Sequence, residues 1–366
     1  MATEQRIPVS DGGMPGGDGA GPPFGLRVVD DMAGALASYM CALGDRLGLF
    51  ATLAQDGPCT PAELSDRTGL DSRYARDWLA CLASRGYLER SRDDGRYELP
   101  PDRAATLADA TGPMFMGGAY DQLTGLVGPL DRIAEAALDG GGVPPDAYGD
   151  DMHRGMERMS AVWFEHLLVP VWIAAMPGVQ RRLEAGADVA DVGCGAGRAL
   201  VTLAEAFPRS RFSGFDVFAP SLARARDRAA GAGVAERVRF EQHDAVHGLP
   251  RRYDLVTLFD VLHDIADPVG VLRGIRRSLK PDGALLLMEM NGADRHEDNA
   301  GPMATILLAT SVLYCLPTSI AMGGEGLGTL GLPERRVREL CEEAGLRAVR
   351  RLPVENPFNV LYEVRP

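Results

Sequence analysis

Apolar residues recur every three or four positions at Leu36, Tyr39, Met40, Leu43, Leu47, Phe50 and Leu53, which predicts one helix over 36–53. Thr60-Pro61-Ala62-Glu63 then supplies an N-cap, a proline at the first helical position and a reciprocal glutamate, a capping box that opens a short helix ending near Gly69. Asp71 or Ser72 caps the next helix, Arg73 to Ser84, with Tyr74, Trp78, Leu79 and Leu82 on its apolar side and Gly86 after it. Two alternating segments, 87–90 and 96–99, flank Asp94-Gly95 and predict a hairpin. Three helices and a hairpin in this order make a winged helix. Residues 102–177 continue as helix, interrupted by the glycine- and proline-rich 139–145. Met152, Met156, Met159, Trp163 and Phe164 are dense there, with Glu165 and His166 beside them, which suits either helix packing or an adaptable small-molecule pocket.

The pattern changes at residue 188. An apolar strand, Asp188 to Val192, runs into Gly193-Cys194-Gly195-Ala196-Gly197 and a helix through Leu200, Leu203 and Phe207. Glycines there let the backbone approach a ligand, and the helix N-terminus offers free N–H groups. The next strand, from Arg211, ends in Asp216, an acid at the distance that suits hydrogen bonds to ribose hydroxyls. A third, from Val238, ends in His243-Asp244-Ala245, and a fourth, Tyr253 to Phe259, ends in Asp260. Four successive strands thus present polar groups at their carboxyl ends, where open α/β sheets bind ligands. A dinucleotide dehydrogenase would prefer Gly-x-Gly-x-x-Gly, and here the third glycine comes one residue early.

Charge narrows the partners. The 366 residues carry 51 acidic and 38 basic side chains, a formal charge of −13, and Lys280 is the single lysine. Such a chain repels phosphate unless one face is locally basic. Over Thr60 to Pro100, seven arginines face eight acids, so the winged helix reads as a packing and dimerisation module rather than a DNA reader. Six cysteines without a CxxC pair predict reduced thiols and a cytoplasmic protein. Residues 1–25 lack the apolar run of a signal peptide and read as a disordered leader. Gly301 to Gly324 is uncharged and long enough to cross a bilayer, but Thr305, Thr310, Ser311 and Pro317 favour a buried pocket helix and no membrane.

The ordered set Asp191-x-Gly193-x-Gly195-x-Gly197, Asp216, His243-Asp244-Ala245 and Asp254-Leu255-Val256, followed by 279–289, resembles the motifs of class I S-adenosylmethionine-dependent methyltransferases. With the winged helix, the chain resembles bacterial small-molecule methyltransferases related to plant-type O-methyltransferases. The resemblance implies an α/β, Rossmann-like sheet of seven strands, the last antiparallel, behind an N-terminal helical winged-helix domain. It divides the chain into a leader (1–25), a winged-helix dimerisation domain (26–101), a helical connector bearing pocket helices (102–177) and a cofactor domain (178–366).

The resemblance also assigns roles. Gly193, Gly195 and Gly197 would hold the methionine part of S-adenosylmethionine, Asp216 its ribose, and Asp244 with the backbone around Ala245 its adenine, with Asp191 and His243 as further cofactor-binding residues. Phe259 and Asp260 would line the floor beneath the sulfonium. His263 resembles the general base, and a histidine suits that task near neutral pH; capping of the following loop is the other reading of this residue. The family's motif continues with an aromatic residue where this chain has Ile265. Trp163, Glu165, His166 and Tyr314 would line the substrate pocket, and Glu289 is a further candidate, with Glu165 and His166, for pairing with substrate. Some relatives hold iron on a His-Asp pair plus a distant histidine; His263-Asp264 matches the pair, but Tyr314 or Cys315 stands at the third position, so no metal is expected. The expected activity is O- or C-methylation of a small, largely apolar metabolite in secondary metabolism by a homodimer that binds no nucleic acid. A cofactor-binding regulator and a non-methylating cyclase are the alternatives.

Overall fold

The structure is a computed structural model that describes residues 23–356 and 358–366. The expected leader lies, up to residue 22, outside the described residues, while Phe24 and Gly25 belong to the first helix. The helix expected over 36–53 is two, α1 (Phe24–Arg46) and α2 (Leu49–Asp56), separated at Gly48, whose φ of 67° breaks the turn without disturbing the apolar spacing. α3 (Pro61–Thr68) starts at the capping box: Thr60 accepts from the Glu63 N–H and its own N–H donates to Glu63 at 2.8 Å. α4 (Ser72–Ser84) buries Trp78, Leu79 and Leu82 against Leu49, Phe50 and Leu64. Each such fully buried side chain is worth about 2 kcal/mol. The wing is a short hairpin, Glu89–Arg90 with Tyr97–Glu98.

The helical middle comprises α5 (Pro101–Leu107), α6 (Gly117–Leu126), α7 (Leu130–Asp139) and α8 (Gly149–Trp163). α6 and α8 touch backbone to backbone: a Cβ on Gly118 would stand 2.5 Å from the Met159 nitrogen. Asp121 of α6, almost fully buried, accepts from Arg154 at 3.0 Å and Arg158 at 2.6 Å, and Arg158 reaches Asp45 of α1 at 2.7 Å. Such a fully paired cluster fixes the winged helix on the pocket helices, because any one member left alone would be costly. A π-helical segment, Phe164–Ile173, extends α8 and absorbs Pro170, which donates no N–H.

α9 (Pro177–Ala185) leads into the sheet. Its strands are β1 (Asp188–Val192), β2 (Arg211–Asp216), β3 (Val238–Gln242), β4 (Tyr253–Phe259), β5 (Leu279–Met290), β6 (Ala348–Arg351) and β7 (Asn359–Arg365). They lie in the order β3-β2-β1-β4-β5-β7-β6, and β7 runs antiparallel to both neighbours. The near-continuous apolar runs of β4 and β5 fit strands covered on both faces. One face packs on Trp172, Leu183 and Leu200, the other on Leu272, Ile275 and Leu340. The covering helices are α10 (Arg198–Ala206), α11 (Ala219–Gly231), α12 (Pro268–Ser278) and α15 (Glu334–Glu343); α13 (Gly301–Thr310) and α14 (Leu316–Ala321) are inserted after β5. The chain leaves β1 toward β2 on one side and returns to β4 on the other, which opens a crevice at the carboxyl ends of β1 and β4.

Candidate active site

A cavity of about 1030 Å³ occupies that crevice. The glycine loop forms one wall. Gly193, Gly195 and Gly197 all have positive φ; a Cβ at Gly193 or Gly197 would strike Val261 or Phe240, whereas Gly195 faces open space. The Gly195 backbone is therefore open to the cavity. Asp216 holds this loop and the next one, accepting from Gly195 N–H and Phe218 N–H at 2.8 Å each. Burial pushes its carboxyl above the usual range, partly offset by those N–H groups. Asp191 is buried and accepts from the Thr257 hydroxyl at 2.7 Å; burial pushes it up to about 7.

His243, Asp244 and Ala245 also line the cavity. The His243 ring contacts the Gly248 carbonyl at 2.5 Å, and Asp244 caps a short turn by accepting from Val246 N–H at 3.0 Å. Phe259 packs against Phe164 and Trp172. Asp260 adopts φ 59°, the one described non-glycine residue with positive φ, so its carboxylate turns into the crevice beside Phe259.

His263, the expected base, is 2% exposed. Its Nδ1 meets Glu289 at 2.8 Å, and the other Glu289 oxygen accepts from Leu262 N–H at 2.9 Å. Nε2 lies 3.5 Å from Asp264, with Cys315 hydrogen-bonded to the same ring. Burial alone would depress the imidazole pKa, but the Asp264 and Glu289 carboxylates outweigh it and hold it well above the ordinary value. Oδ1 of Asp260 and Oδ1 of Asp264 are buried without a hydrogen-bond partner among the described residues. Sequence reasoning placed Glu289 near substrate; the structure places it behind the imidazole.

His263, Asp264 and Cys315 offer ligand atoms within 4.8 Å of one another, so Cys315, not Tyr314, stands at the third position beside the His-Asp pair. Burial pushes its thiol up to about 11, and Thr329 lies 3.0 Å from Sγ.

Of the residues expected in the substrate pocket, Trp163 and Tyr314 are on the cavity wall. Glu165 and His166 are not: Glu165 pairs with Arg198, and His166 binds the Thr111 carbonyl at 2.7 Å. They follow Phe164 on the helix and point off its cavity-facing side. The stretch 303–322 does roof the cavity, through Met303, Leu307, Thr310 and Tyr314. Sequence reasoning missed one contact, Glu157 of α8, which pairs with Arg228; Arg228 in turn donates to the Ala196 carbonyl inside the glycine loop. No local signal marks it, since the three residues are distant in sequence.

Residues 190–285 match the family model described as "Methyltransferase domain", and 35–109 match an "Rv2258c-like winged HTH domain". "Aclacinomycin 10-hydroxylase RdmB" of Streptomyces purpurascens is 31% identical over 65% of this chain and 67% of its own length. "Mitomycin biosynthesis 6-O-methyltransferase" of Streptomyces lavendulae is 26% identical over 89% and 90%. The solved structure of human N-acetylserotonin methyltransferase in complex with SAM is similar with a TM-score of 0.68 at 18% identity, over 95% of this chain and 99% of that one. The chain belongs to the class I S-adenosylmethionine-dependent methyltransferases with an N-terminal winged-helix domain. It is a methyltransferase that uses S-adenosylmethionine, of the type that modifies small molecules.

Proposed function

We propose that the enzyme methylates an oxygen of a small, largely apolar metabolite of secondary metabolism, with His263 as general base. The carrying observation is the His263–Glu289 pair, set where the glycine-loop half of the cavity meets its apolar half. Bound S-adenosylmethionine supplies an electrophilic methyl on a sulfonium that leaves as a neutral thioether. Asp191 and the loop Gly193–Gly197 would take the methionine part, Asp216 the ribose, and His243, Asp244 and Ala245 the adenine. Phe259 and Asp260 would lie beneath the sulfonium.

Glu289 accepts from Nδ1–H, which leaves the Nε2 lone pair for the acceptor hydroxyl. During transfer His263 would take the acceptor hydroxyl proton on Nε2. The resulting imidazolium sits between Glu289 and Asp264. Glu165 and His166 have no part in this. Purified enzyme given S-adenosylmethionine and a candidate acceptor should yield S-adenosylhomocysteine and a product heavier by one CH₂. Turnover of the acceptor without that gain refutes methyl transfer and supports a cyclase-type reaction.

In this reading residues 26–101 dimerise, 102–177 connect and shape the pocket, and 178–366 bind the cofactor. Phe24, Val29, Met32 and Leu36 form an exposed apolar side on α1, which supports a homodimer. Light scattering should show twice the chain mass, and Met32→Asp should halve it. Arginines of the winged helix are tied to acids, Arg73 to Asp71, Arg76 to Asp77 and Arg96 to Glu63, which leaves little positive field for a phosphate backbone. Among the described residues, Gly301–Ala321 is long and apolar enough to cross a membrane, and its inner side forms the cavity roof. The unpaired cysteines support a reducing, cytoplasmic setting.

A further inference from the structure

The backbone donors of the glycine loop are largely committed within the protein. Gly193 and Cys194 N–H both donate to the Phe215 carbonyl, at 2.8 and 3.1 Å, and Gly197 N–H donates to the Cys194 carbonyl at 2.8 Å. Gly195 N–H is taken by Asp216. What remains, Ala196 N–H and the first N–H groups of α10, offers dipoles only. The methionine part of the cofactor brings a carboxylate to this loop, and a full charge at a partly buried wall calls for a paired cation.

Among the described residues two arginines stand on the cavity wall, Arg198 and Arg224. Arg224 belongs to α11, beyond Asp216; it donates to the Ser221 hydroxyl at 3.1 Å and lies 3.6 Å from Glu157. Arg198 follows Gly197 directly and opens α10. Its Nη1 donates to Glu165 of the π-helical segment, and its Nε is buried with no hydrogen-bond partner among the described residues. A guanidinium stays charged and carries its N–H donors in a rigid fork, so a carboxylate on Nη1 leaves the Nε edge for a second one. Buried donors are as a rule satisfied, and an orphan on the side chain that borders a ligand cavity points to the ligand. Glu165 itself is off the wall, so it holds the guanidinium from behind.

We infer, on the reading that places the methionine part at this loop, that Arg198 binds the cofactor's carboxylate through its Nε edge and that Glu165 is the positioning residue that presents that edge. Glu165, expected at the substrate, thereby acts at the cofactor.

The test titrates full-length protein by calorimetry with S-adenosylhomocysteine and with decarboxylated S-adenosylhomocysteine, which keeps the amine, ribose and adenine. Wild type should bind the first at least tenfold more tightly, the worth of one charge-assisted pair. Arg198→Gln should weaken S-adenosylhomocysteine at least tenfold and the decarboxylated probe less than about threefold, and Arg198→Lys, which keeps the charge without the fork, should fall between. Glu165→Gln should weaken S-adenosylhomocysteine about threefold and spare the other probe, with Glu165→Asp recovering part of the loss. Arg198→Gln that weakens both probes equally, as a merely structural role would, or weakens neither, overturns the inference. A wild-type preference below about threefold overturns it whatever the variants do. Failure of wild type to bind either probe overturns the cofactor-site reading beneath it, a distinguishable result.

Discussion

Replacing Glu289 by glutamine isolates the charge behind the imidazole. The side chain keeps its size, and its carbonyl can still accept from Leu262 N–H. What goes is the negative charge 2.8 Å from Nδ1 of a buried ring. An opposite charge at that range shifts a pKa by about one to three units. Asp264 remains 3.5 Å from Nε2, so only part of the upward shift disappears, and the acid limb of kcat/KM should move down by about one to two units. The sign follows from the base role. The wild-type imidazole, with its pKa raised, is protonated and inactive up to a higher pH; in Glu289→Gln it is free at lower pH. The plateau should nevertheless fall by about 10²-fold. A neutral partner stabilises the imidazolium less, and an amide presented to Nδ1 favours the tautomer that blocks Nε2. The assay is initial rate against pH, with S-adenosylhomocysteine affinity as control, expected to change less than threefold. A limb that stays in place or moves up, with a plateau within threefold of wild type, would refute the reasoning. Glu289→Ala is a poorer probe, since it also strands a buried N–H at a cost of about 1–3 kcal/mol.

Three further outcomes are expected. Gly195→Ala should weaken S-adenosylhomocysteine binding at least tenfold by calorimetry, because φ of 50° costs an L-residue about 1–2 kcal/mol and the new methyl enters the cavity. Glu157→Gln should weaken the same affinity about five- to tenfold with a small change in melting temperature, because Arg228, the donor to the Ala196 carbonyl, loses its charged partner. Dialysis against EDTA should leave the initial rate unchanged, since the proposed chemistry needs only the His263 base; loss of rate restored by a single metal would reverse that assignment.

The cofactor half was legible because its signals are local: each strand brings its polar terminus with it, and sheet order follows from the glycine loop and the acid after β2. The winged helix was legible through caps and hairpin chemistry, although one helix was read where Gly48 makes two, since three- and four-residue spacing runs unbroken across it. Glu165 and His166 were misplaced because their neighbours Trp163 and Phe164 do line the cavity, while successive helical residues point about 100° apart, so adjacency in sequence is not a shared face. Glu289 was seen, but its partner was not: 26 residues separate it from His263, and only the sheet joins them.

A second π-helical turn, Ser311–Cys315, lies between α13 and α14 and sets Tyr314 and Cys315 at the reacting end. A turn of this kind contains one residue more than the helix needs. Deleting one residue within Ser311–Leu313 would close it to an α-helical turn, with α13 and α14 keeping their faces. Only the side chains of the turn itself, those opposite His263, would be re-aimed. Insertions and deletions here, more than substitutions, are therefore the economical route by which such a pocket changes the chemistry presented to its base.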